Sequence, residues 1–114
     1  VRIQFGRPIG SFQAIKHKCA DMLLQVETAR SAAAFARGCT AAESHERSLA
    51  AAAAKAYCCD AFVFCAEENI QVHGGIGFTW EHPAHLYFKR ARSSQVLFGS
   101  SFEHRDRLGH LLDL

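Results

Sequence analysis

The feature that most constrains the fold is a long apolar repeat in the middle of the chain. Its members are three or four residues apart, as on one face of an α-helix: Leu49, Ala52, Ala56, Cys59, Val63, Ala66 and Ile70. Small residues fill its first half, so that a neighbouring helix can approach closely. Gly74 and Gly75 follow, and glycine commonly ends a helix. The repeat predicts a long core helix that ends just before Gly74.

A similar repeat precedes it and predicts another long helix, which runs to about Arg37, with Ser11 as its N-cap. The apolar positions of this earlier repeat are Ile15, Cys19, Met22, Val26, Ala29, Ala33 and Ala36. Pro83 is typical of the first turn of a third helix, and Ser100 with Glu103 forms the capping-box pattern of a fourth. No segment shows sustained strand alternation, so the predicted fold is all-α, an up-down helical bundle.

Composition limits the classes of function. A chain of 114 residues, 49% of them hydrophobic, predicts one domain, and a net charge of +2 is too small to indicate a nucleic-acid partner. The five cysteines are odd in number and form no C-x-x-C pair, which favours small core residues in a reducing compartment. Lys55 and Asp60 interrupt the longest apolar run, so we expect no membrane span. These features predict a cytoplasmic protein without disulfides.

Two further groups of side chains are candidates for metal binding or acid–base chemistry. His82 and His85 are three residues apart, but no third ligand stands at a suitable spacing, so no metal site is predicted and polar or capping roles are favoured. Glu67 and Glu68 are near the end of the core helix, where one of them is a candidate general base. Adjacent helical positions point in different directions, and a solvated pair is the favoured interpretation.

The glycine loop after the core helix has two interpretations. Gly74 and Gly75 are either a simple helix C-cap, or they expose backbone N–H groups that receive an anion. Arg2 adds a guanidinium and Gln13 an amide, so that the set suits a pyrophosphate and a polar ring. The tract lacks the G-x-G-x-x-G fingerprint and a preceding strand, so the sequence does not support a Rossmann phosphate loop.

Several separated motifs together resemble the C-terminal helical domain of the acyl-CoA dehydrogenases, of a bacterial type. They are R-x-x-F-G-x-P-I at residues 2–9, Gln13, Q-x-x-G-G-x-G-F at residues 71–78, a basic helix around Tyr87, and the Gly99-Ser100 turn. The resemblance covers essentially all of residues 1–114 and implies a bundle that lacks its first helix. It also implies that the N-terminal helical and middle β domains of the family are missing, so that the chain is a fragment.

The resemblance, and not composition, implies the cofactor FAD. The family's FAD-contacting Arg, Phe and Gln fall on Arg2, Phe5 and Gln13. The segment that reaches the cofactor of a neighbouring subunit falls on Gln71, Val72, His73, Gly74 and Gly75, and the turn beside the flavin falls on Ser100 and Ser101. The expected assembly is a homo- or hetero-tetramer.

The reaction implied by the resemblance is α,β-dehydrogenation of an acyl-CoA substrate in lipid metabolism, with an electron-transfer flavoprotein or a similar acceptor. A carboxylate removes the α proton while a hydride leaves the β carbon for the flavin. Many members carry the catalytic Glu directly before the Gly-Ser turn, but this chain has Phe98 there, so no catalytic residue is assigned within it.

Three possibilities follow from Phe98. The base is upstream of this segment, or an unlike partner subunit supplies it, or the protein is a non-catalytic structural subunit of a hetero-oligomeric dehydrogenase. Bacterial relatives that act on bulky substrates such as steroid side chains pair unlike subunits, and residues 74–86 resemble such sequences.

Overall fold

The computed structural model describes residues 2–114, and in it this part of the chain is mostly helical. The four α-helices are α1 (Gln13–Gly38), α2 (Ser44–His73), α3 (Ala84–Val96) and α4 (Ser101–Leu111). Two strands of two residues each, β1 (Ile3–Gln4) and β2 (Arg7–Pro8), pair antiparallel before α1. The predicted helical bundle is confirmed, and it is elongated, about 57 Å by 26 Å by 25 Å.

Helix α2 is the centre of the bundle, and α1, α3 and α4 all pack on it. The core residues of α2 are mostly small, and the seam predicted from the sequence is buried from Ala52 onward, with Leu49 half-buried: Ala52, Ala56, Cys59, Val63, Ala66 and Ile70. Ala91 of α3 is fully buried against Val63 and Ala66, with Phe62 and Phe88 beside them. Small side chains on both helices allow this close packing.

The buried face of α1 differs from the predicted one. Its half-buried positions are Ile15, Lys18, Met22, Gln25, Ala29, Ala32 and Ala36, whereas Cys19, Val26 and Ala33 are exposed. The predicted and the observed faces share the positions seven residues apart, Ile15, Met22, Ala29 and Ala36, so this repeat alone does not distinguish them. Polar partners on α2 decide between them, because Lys18 pairs with Glu68 and Gln25 Oε1 accepts a hydrogen bond of 2.8 Å from the Tyr57 hydroxyl.

The segment before α1 also departs from the prediction that Ser11 is the N-cap of this helix. Phe5 and Gly6 have φ of 53° and 76°, as in the type I′ turns that close two-residue hairpins. The Ser11 hydroxyl donates to the Pro8 carbonyl oxygen over 2.6 Å within a short 3-10 turn (Ile9–Ser11). Phe12 is the N-cap residue of α1, without a side-chain hydrogen bond, so the predicted cap is wrong.

Helices α3 and α4 begin where the sequence predicts. Pro83 precedes α3, and His82 Nδ1 accepts a hydrogen bond of 3.1 Å from the Ala84 N–H. The capping box at α4 is complete: the Ser100 hydroxyl accepts from the Glu103 N–H over 3.2 Å, and Glu103 Oε2 accepts from the Ser100 N–H over 2.6 Å. These reciprocal bonds satisfy two donors that the helix itself leaves unpaired.

Four of the five cysteines pack as small core residues, and all five are free thiols. Cys39 and Cys59 are buried, Cys58 and Cys65 are half-buried, and Cys19 is exposed. Burial raises the pKa of the Cys58 thiol, which donates a hydrogen bond of 3.3 Å to the Ala29 carbonyl oxygen.

The core helix passes a length and composition test for a membrane span, contrary to the exclusion drawn from Lys55 and Asp60. Residues 44–78 contain an 18-residue window of mean hydropathy 1.5, and 39% of that window is buried inside the fold. The core helix of a bundle passes the same test, because it too is long and apolar. The packing of three other helices around α2 fits that second explanation.

Candidate functional site

Arg2 connects the N-terminal hairpin to the C-terminal end of α2. Its Nη1 donates to the His73 carbonyl oxygen over 2.8 Å and, at 3.4 Å, lies at the outer limit for a hydrogen bond to the Val72 carbonyl oxygen. The last carbonyls of a helix have no partner within it and carry partial negative charge, so a guanidinium is a suitable cap. The contact places the two separated sequence motifs side by side.

Gly74 makes this contact possible. It ends α2 with φ of 68° and ψ of −146°, a conformation that a residue with a side chain rarely adopts. A Cβ atom there would lie 2.5 Å from Arg2 Nη1. The Gly74 N–H donates to the Ile70 and Gln71 carbonyl oxygens, so it does not face a ligand as the anion interpretation supposed. The C-cap interpretation is therefore correct for this N–H.

A cavity of about 320 Å³ lies beside this contact. Four of the predicted cofactor-contacting residues line it, together with other residues of the hairpin and of α1: Arg2, Phe5, Gln71 and Val72, with Gln4, Ile9, Phe12, Ala14 and Ile15. The Phe5 ring is 90% exposed and meets Phe12 edge-on at 6.1 Å between ring centroids. Cationic, amide and aromatic groups thus meet at one surface.

The other predicted contacts at this end are near the cavity but do not line it. Gln13 is the exposed first residue of α1, and Gly75 is exposed, with nothing within 4 Å of where a Cβ would lie. His73 Nδ1 donates to the Asn69 carbonyl oxygen over 2.8 Å, and its ring centroid is 4.1 Å from that of His82. The loop is also tight at the buried Gly77, where a Cβ would lie 2.8 Å from the Ile70 carbonyl oxygen.

These residues fit part of a dinucleotide. The guanidinium can donate to a phosphate, the exposed ring can stack on a base, and the Gln71 amide can bond a polar edge. A cavity of 320 Å³ is at the lower end of ligand-site volumes, so a whole FAD would also need another surface.

Ser100 and Ser101 form a separate cluster. Ser101 is buried, and its hydroxyl donates to Asp60 Oδ1 over 2.5 Å, in the middle of α2. Asp60 precedes Gln71 by eleven residues, about 16 Å along a helix. The Ser100 hydroxyl is occupied by the capping box. One chain therefore does not bring these serines to the Arg2 cavity, and both hydroxyls already have partners.

Phe98 stands at the start of this second cluster. It has φ of 62°, and 85% of it is exposed. His104 Nε2 donates to the Phe98 carbonyl oxygen over 2.8 Å. A second cavity of about 320 Å³ adjoins the ring, and within the described chain its lining residues include no carboxylate: Arg47, Ser48, Ala51, Ala52, Lys55, Phe98, His104 and Arg107.

The two glutamates near the end of α2 differ in environment. Glu67 is exposed, whereas Glu68 is half-buried and pairs with Lys18 of α1. Both line a cavity of about 440 Å³ with Gln71, and the buried His85 Nδ1 on its wall has no hydrogen-bond partner among residues 2–114. The interpretation as a solvated pair is correct for Glu67 and wrong for Glu68. The prediction missed the Glu68 pair because it placed Lys18 on the exposed face of α1.

Sequence reasoning missed two charged residues of α2. Lys55 Nζ donates to the Ser94 and Gly99 carbonyl oxygens over 3.0 Å and 2.9 Å. Asp60 accepts hydrogen bonds from Ser101 and from Arg105 Nη2, the latter over 2.6 Å. The sequence signal that could have found them is their position within an apolar helix, because a charge there needs hydrogen-bond or ionic partners. No group of three or more potential metal ligands occurs within residues 2–114.

Comparison with known proteins identifies the family. Residues 1–111 match the family described as acyl-CoA dehydrogenase, C-terminal domain. Over 102 residues the chain is 51% identical to acyl-CoA dehydrogenase FadE34 of Mycobacterium tuberculosis, which covers 89% of this chain and 14% of that protein.

Solved structures agree. A crystal structure of an FAD-dependent dehydrogenase superposes with a TM-score of 0.94 at 30% identity, covering 100% of this chain and 30% of that one. A variant of the steroid ACAD Tcur3481–Tcur3483 gives a TM-score of 0.92 at 30% identity, covering 98% and 31%. The chain spans less than a third of each of these proteins. It belongs to the acyl-CoA dehydrogenase family and has the fold of that family's C-terminal helical domain.

Proposed function

We propose that the protein containing this chain catalyses FAD-dependent α,β-dehydrogenation of acyl-CoA thioesters, and that this domain supplies contacts to the flavin cofactor. The observation that carries the proposal is the shared cavity of Arg2, Phe5 and Gln71. Arg2 and the Val72 carbonyl it approaches are 70 residues apart in sequence, yet the fold holds them together.

The residues of this cavity bind and orient; they do not react. The guanidinium of Arg2 neutralises a phosphate, while its hydrogen bond to the His73 carbonyl fixes its direction. Phe5 presents an exposed ring, and Gln71 an exposed amide. When bound, FAD supplies the redox chemistry, because it accepts the hydride that leaves the β carbon.

Ser100 and Ser101 are proposed to contact a second flavin in the assembly. Their hydroxyls and the Ser100 N–H already have partners, so the contact must come from backbone N–H groups further into the first turn of α4, beginning with that of Ser101, where the helix dipole favours negative charge. Because this cluster and the Arg2 cavity are about 16 Å apart along α2, two clusters serving two cofactors explain the arrangement better than one. A homo- or hetero-tetramer would provide both.

The catalytic base is proposed to lie outside residues 2–114. Phe98 has no group that takes a proton, and the cavity beside its ring contains cations without a carboxylate among the described residues. The same observation favours the second candidate, a non-catalytic subunit that completes the flavin site of an unlike partner. We place the base upstream in the full chain, in a cytoplasmic enzyme that passes electrons to an electron-transfer flavoprotein or a similar acceptor.

Bulky acyl-CoA thioesters are the first substrate class to test, because a steroid ACAD is among the similar structures. The flavin proposal itself is tested by the FAD content of the purified full chain. We expect the unchanged protein to carry FAD, and Arg2→Ala to release it more readily. Arg30→Ala is the matched control, since Arg30 is exposed on α1, pairs with Glu27 over 2.6 Å and does not line the cavity. Full-length protein that neither copurifies with FAD nor binds added FAD would contradict the proposal.

A further inference from the structure

Lys55 holds the end of α3 and the turn after it. Its Nζ donates to the carbonyl oxygens of Ser94, Gln95 and Gly99 over 3.0 Å, 3.5 Å and 2.9 Å. These acceptors include the carbonyls at the negative end of the α3 dipole, so that the ammonium is paired without a carboxylate. Lys55 is half-buried within an apolar helix, where a charge is costly unless it is well bonded.

Asp60 holds the other side of the same turn. Its Oδ1 accepts from the Ser101 hydroxyl over 2.5 Å and from Gln95 Nε2 over 3.2 Å, and its Oδ2 accepts from Arg105 Nη2 over 2.6 Å. Burial raises the pKa of Asp60, but the hydrogen bonds from Ser101, Arg105 and Gln95 outweigh it and bring that pKa below its ordinary value. The group is therefore a carboxylate at neutral pH.

The turn between these two contacts, residues 98–101, has a conformation that its own sequence does not favour. Phe98 has φ of 62°, in the left-handed region where a bulky side chain is strained. The His104 ring holds the Phe98 carbonyl oxygen, and the capping box holds Ser100. Lys55 bonds the Gly99 carbonyl oxygen and Asp60 bonds the Ser101 hydroxyl. Each of the four residues of the turn therefore has a hydrogen bond to a side chain from outside the turn.

We infer that Lys55 and Asp60 are positioning residues, which fix the 98–101 turn so that its backbone and the Phe98 ring meet the flavin site in one geometry. The inference rests on the proposed function, which places Ser100 and Ser101 beside a flavin. Strained backbone that its surroundings hold in place is characteristic of ligand sites. Neither Lys55 nor Asp60 touches the reacting atoms; each acts through the turn.

The test uses the full-length holoprotein with Lys55→Met, Asp60→Asn and Lys55→Arg. Lys89→Met is the matched control, because Lys89 lies 4.0 Å over the Trp80 ring and has no bond to the turn. We expect amide hydrogen exchange at residues 98–101 to rise about tenfold in Lys55→Met, as for loss of a charge-assisted hydrogen bond. Lys55→Arg should restore part of the protection, and Lys89→Met should change nothing there.

The second readout distinguishes positioning from a purely structural role. In Lys55→Met and Asp60→Asn the visible absorption bands of the bound flavin should shift, and kcat should fall more than KM rises. Faster exchange with an unchanged flavin spectrum and unchanged kcat would overturn the inference, and so would unchanged exchange in a folded Lys55→Met protein. If Lys55→Met does not fold, Asp60→Asn gives the same two readouts, because it removes the carboxylate that bonds Ser101. Absence of flavin from the unchanged protein would instead overturn the proposed function, and the inference with it.

Discussion

The Arg2 guanidinium lies 2.8 Å from the His73 carbonyl oxygen, a hydrogen bond between residues 71 positions apart. It closes the C-terminal end of α2 with a cation, which complements the partial negative charge of the last carbonyls. The same contact holds the N-terminal hairpin against Gln71 and Val72 and so forms one wall of the proposed flavin cavity. If the cavity holds the flavin as proposed, stability and cofactor binding are coupled at Arg2.

The Arg2→Lys substitution separates charge from geometry. Lysine keeps the positive charge but loses the planar fork that can bond a carbonyl oxygen and a phosphate together. We expect the free energy of unfolding to fall by about 0.5–1.5 kcal/mol, the usual value of one hydrogen bond, and FAD to dissociate faster. Urea unfolding and the fluorescence of released FAD measure the two effects. Equal FAD retention by Arg2→Lys and the unchanged protein would contradict a role for the guanidinium.

Gly74→Ala tests the left-handed end of α2. Alanine is strained at φ of 68°, and its Cβ would lie 2.5 Å from Arg2 Nη1. We expect a loss of about 1–3 kcal/mol in the free energy of unfolding. Gly75→Ala is the matched control, because its φ is not positive and the space around it is open, so that its effect should stay within about 0.5 kcal/mol. Similar losses in the two variants would show that the positive φ of Gly74 does not make this position more sensitive to a side chain.

Asp60→Asn tests the ionised carboxylate. The folded pKa of Asp60 is lower than its ordinary value of 3.8, so its charge stabilises the fold above that pH. This contribution is lost as the pH falls through the lower, folded pKa. Asp60→Asn should therefore be less stable than the unchanged protein at about pH 7, and the difference should be smaller at a pH below the folded pKa of Asp60. Urea unfolding at both pH values measures it, and a difference independent of pH would contradict this account.

Ser100→Ala tests the capping box of α4. It removes the hydroxyl that accepts from the Glu103 N–H, and N-cap serines typically contribute about 1 kcal/mol to the free energy of unfolding. Ser93→Ala, at an exposed position inside α3, should leave that free energy unchanged or slightly raised, because alanine favours helix. Thermal unfolding of both variants compares them, and a larger loss in Ser93→Ala would refute the cap.

Local signals predict the helices of this chain well. The apolar seam and Gly74 define α2, and the Ser100–Glu103 pattern defines the start of α4, because a cap or a face depends on residues near in sequence. The face of α1 is not predictable in this way. Lys18 and Gln25 turn inward because Glu68 and Tyr57 meet them from α2, a contact between distant residues.

In the candidate site, too, the sequence predicts some residues, whereas their contacts depend on the fold. Motif resemblance selects Arg2, Phe5 and Gln71, and the fold brings them to one cavity. The hydrogen bond of Arg2 joins residues that are distant in sequence, so local sequence patterns do not predict it. Lys55 and Asp60 read as interruptions of an apolar run, yet they bond the 98–101 turn, because a charge within a core helix must find partners.

The most direct test of the central claim is the visible spectrum of the flavin in the full-length protein, recorded without oxygen or another electron acceptor, before and after addition of acyl-CoA thioesters. The panel should include straight-chain and bulky acyl groups. We predict that at least one thioester bleaches the flavin, which would establish dehydrogenation by the full-length protein. Because Phe98 takes no proton, we expect its base to lie outside residues 2–114. Bound flavin that no thioester bleaches, although dithionite reduces it, would contradict the enzyme and favour the non-catalytic subunit.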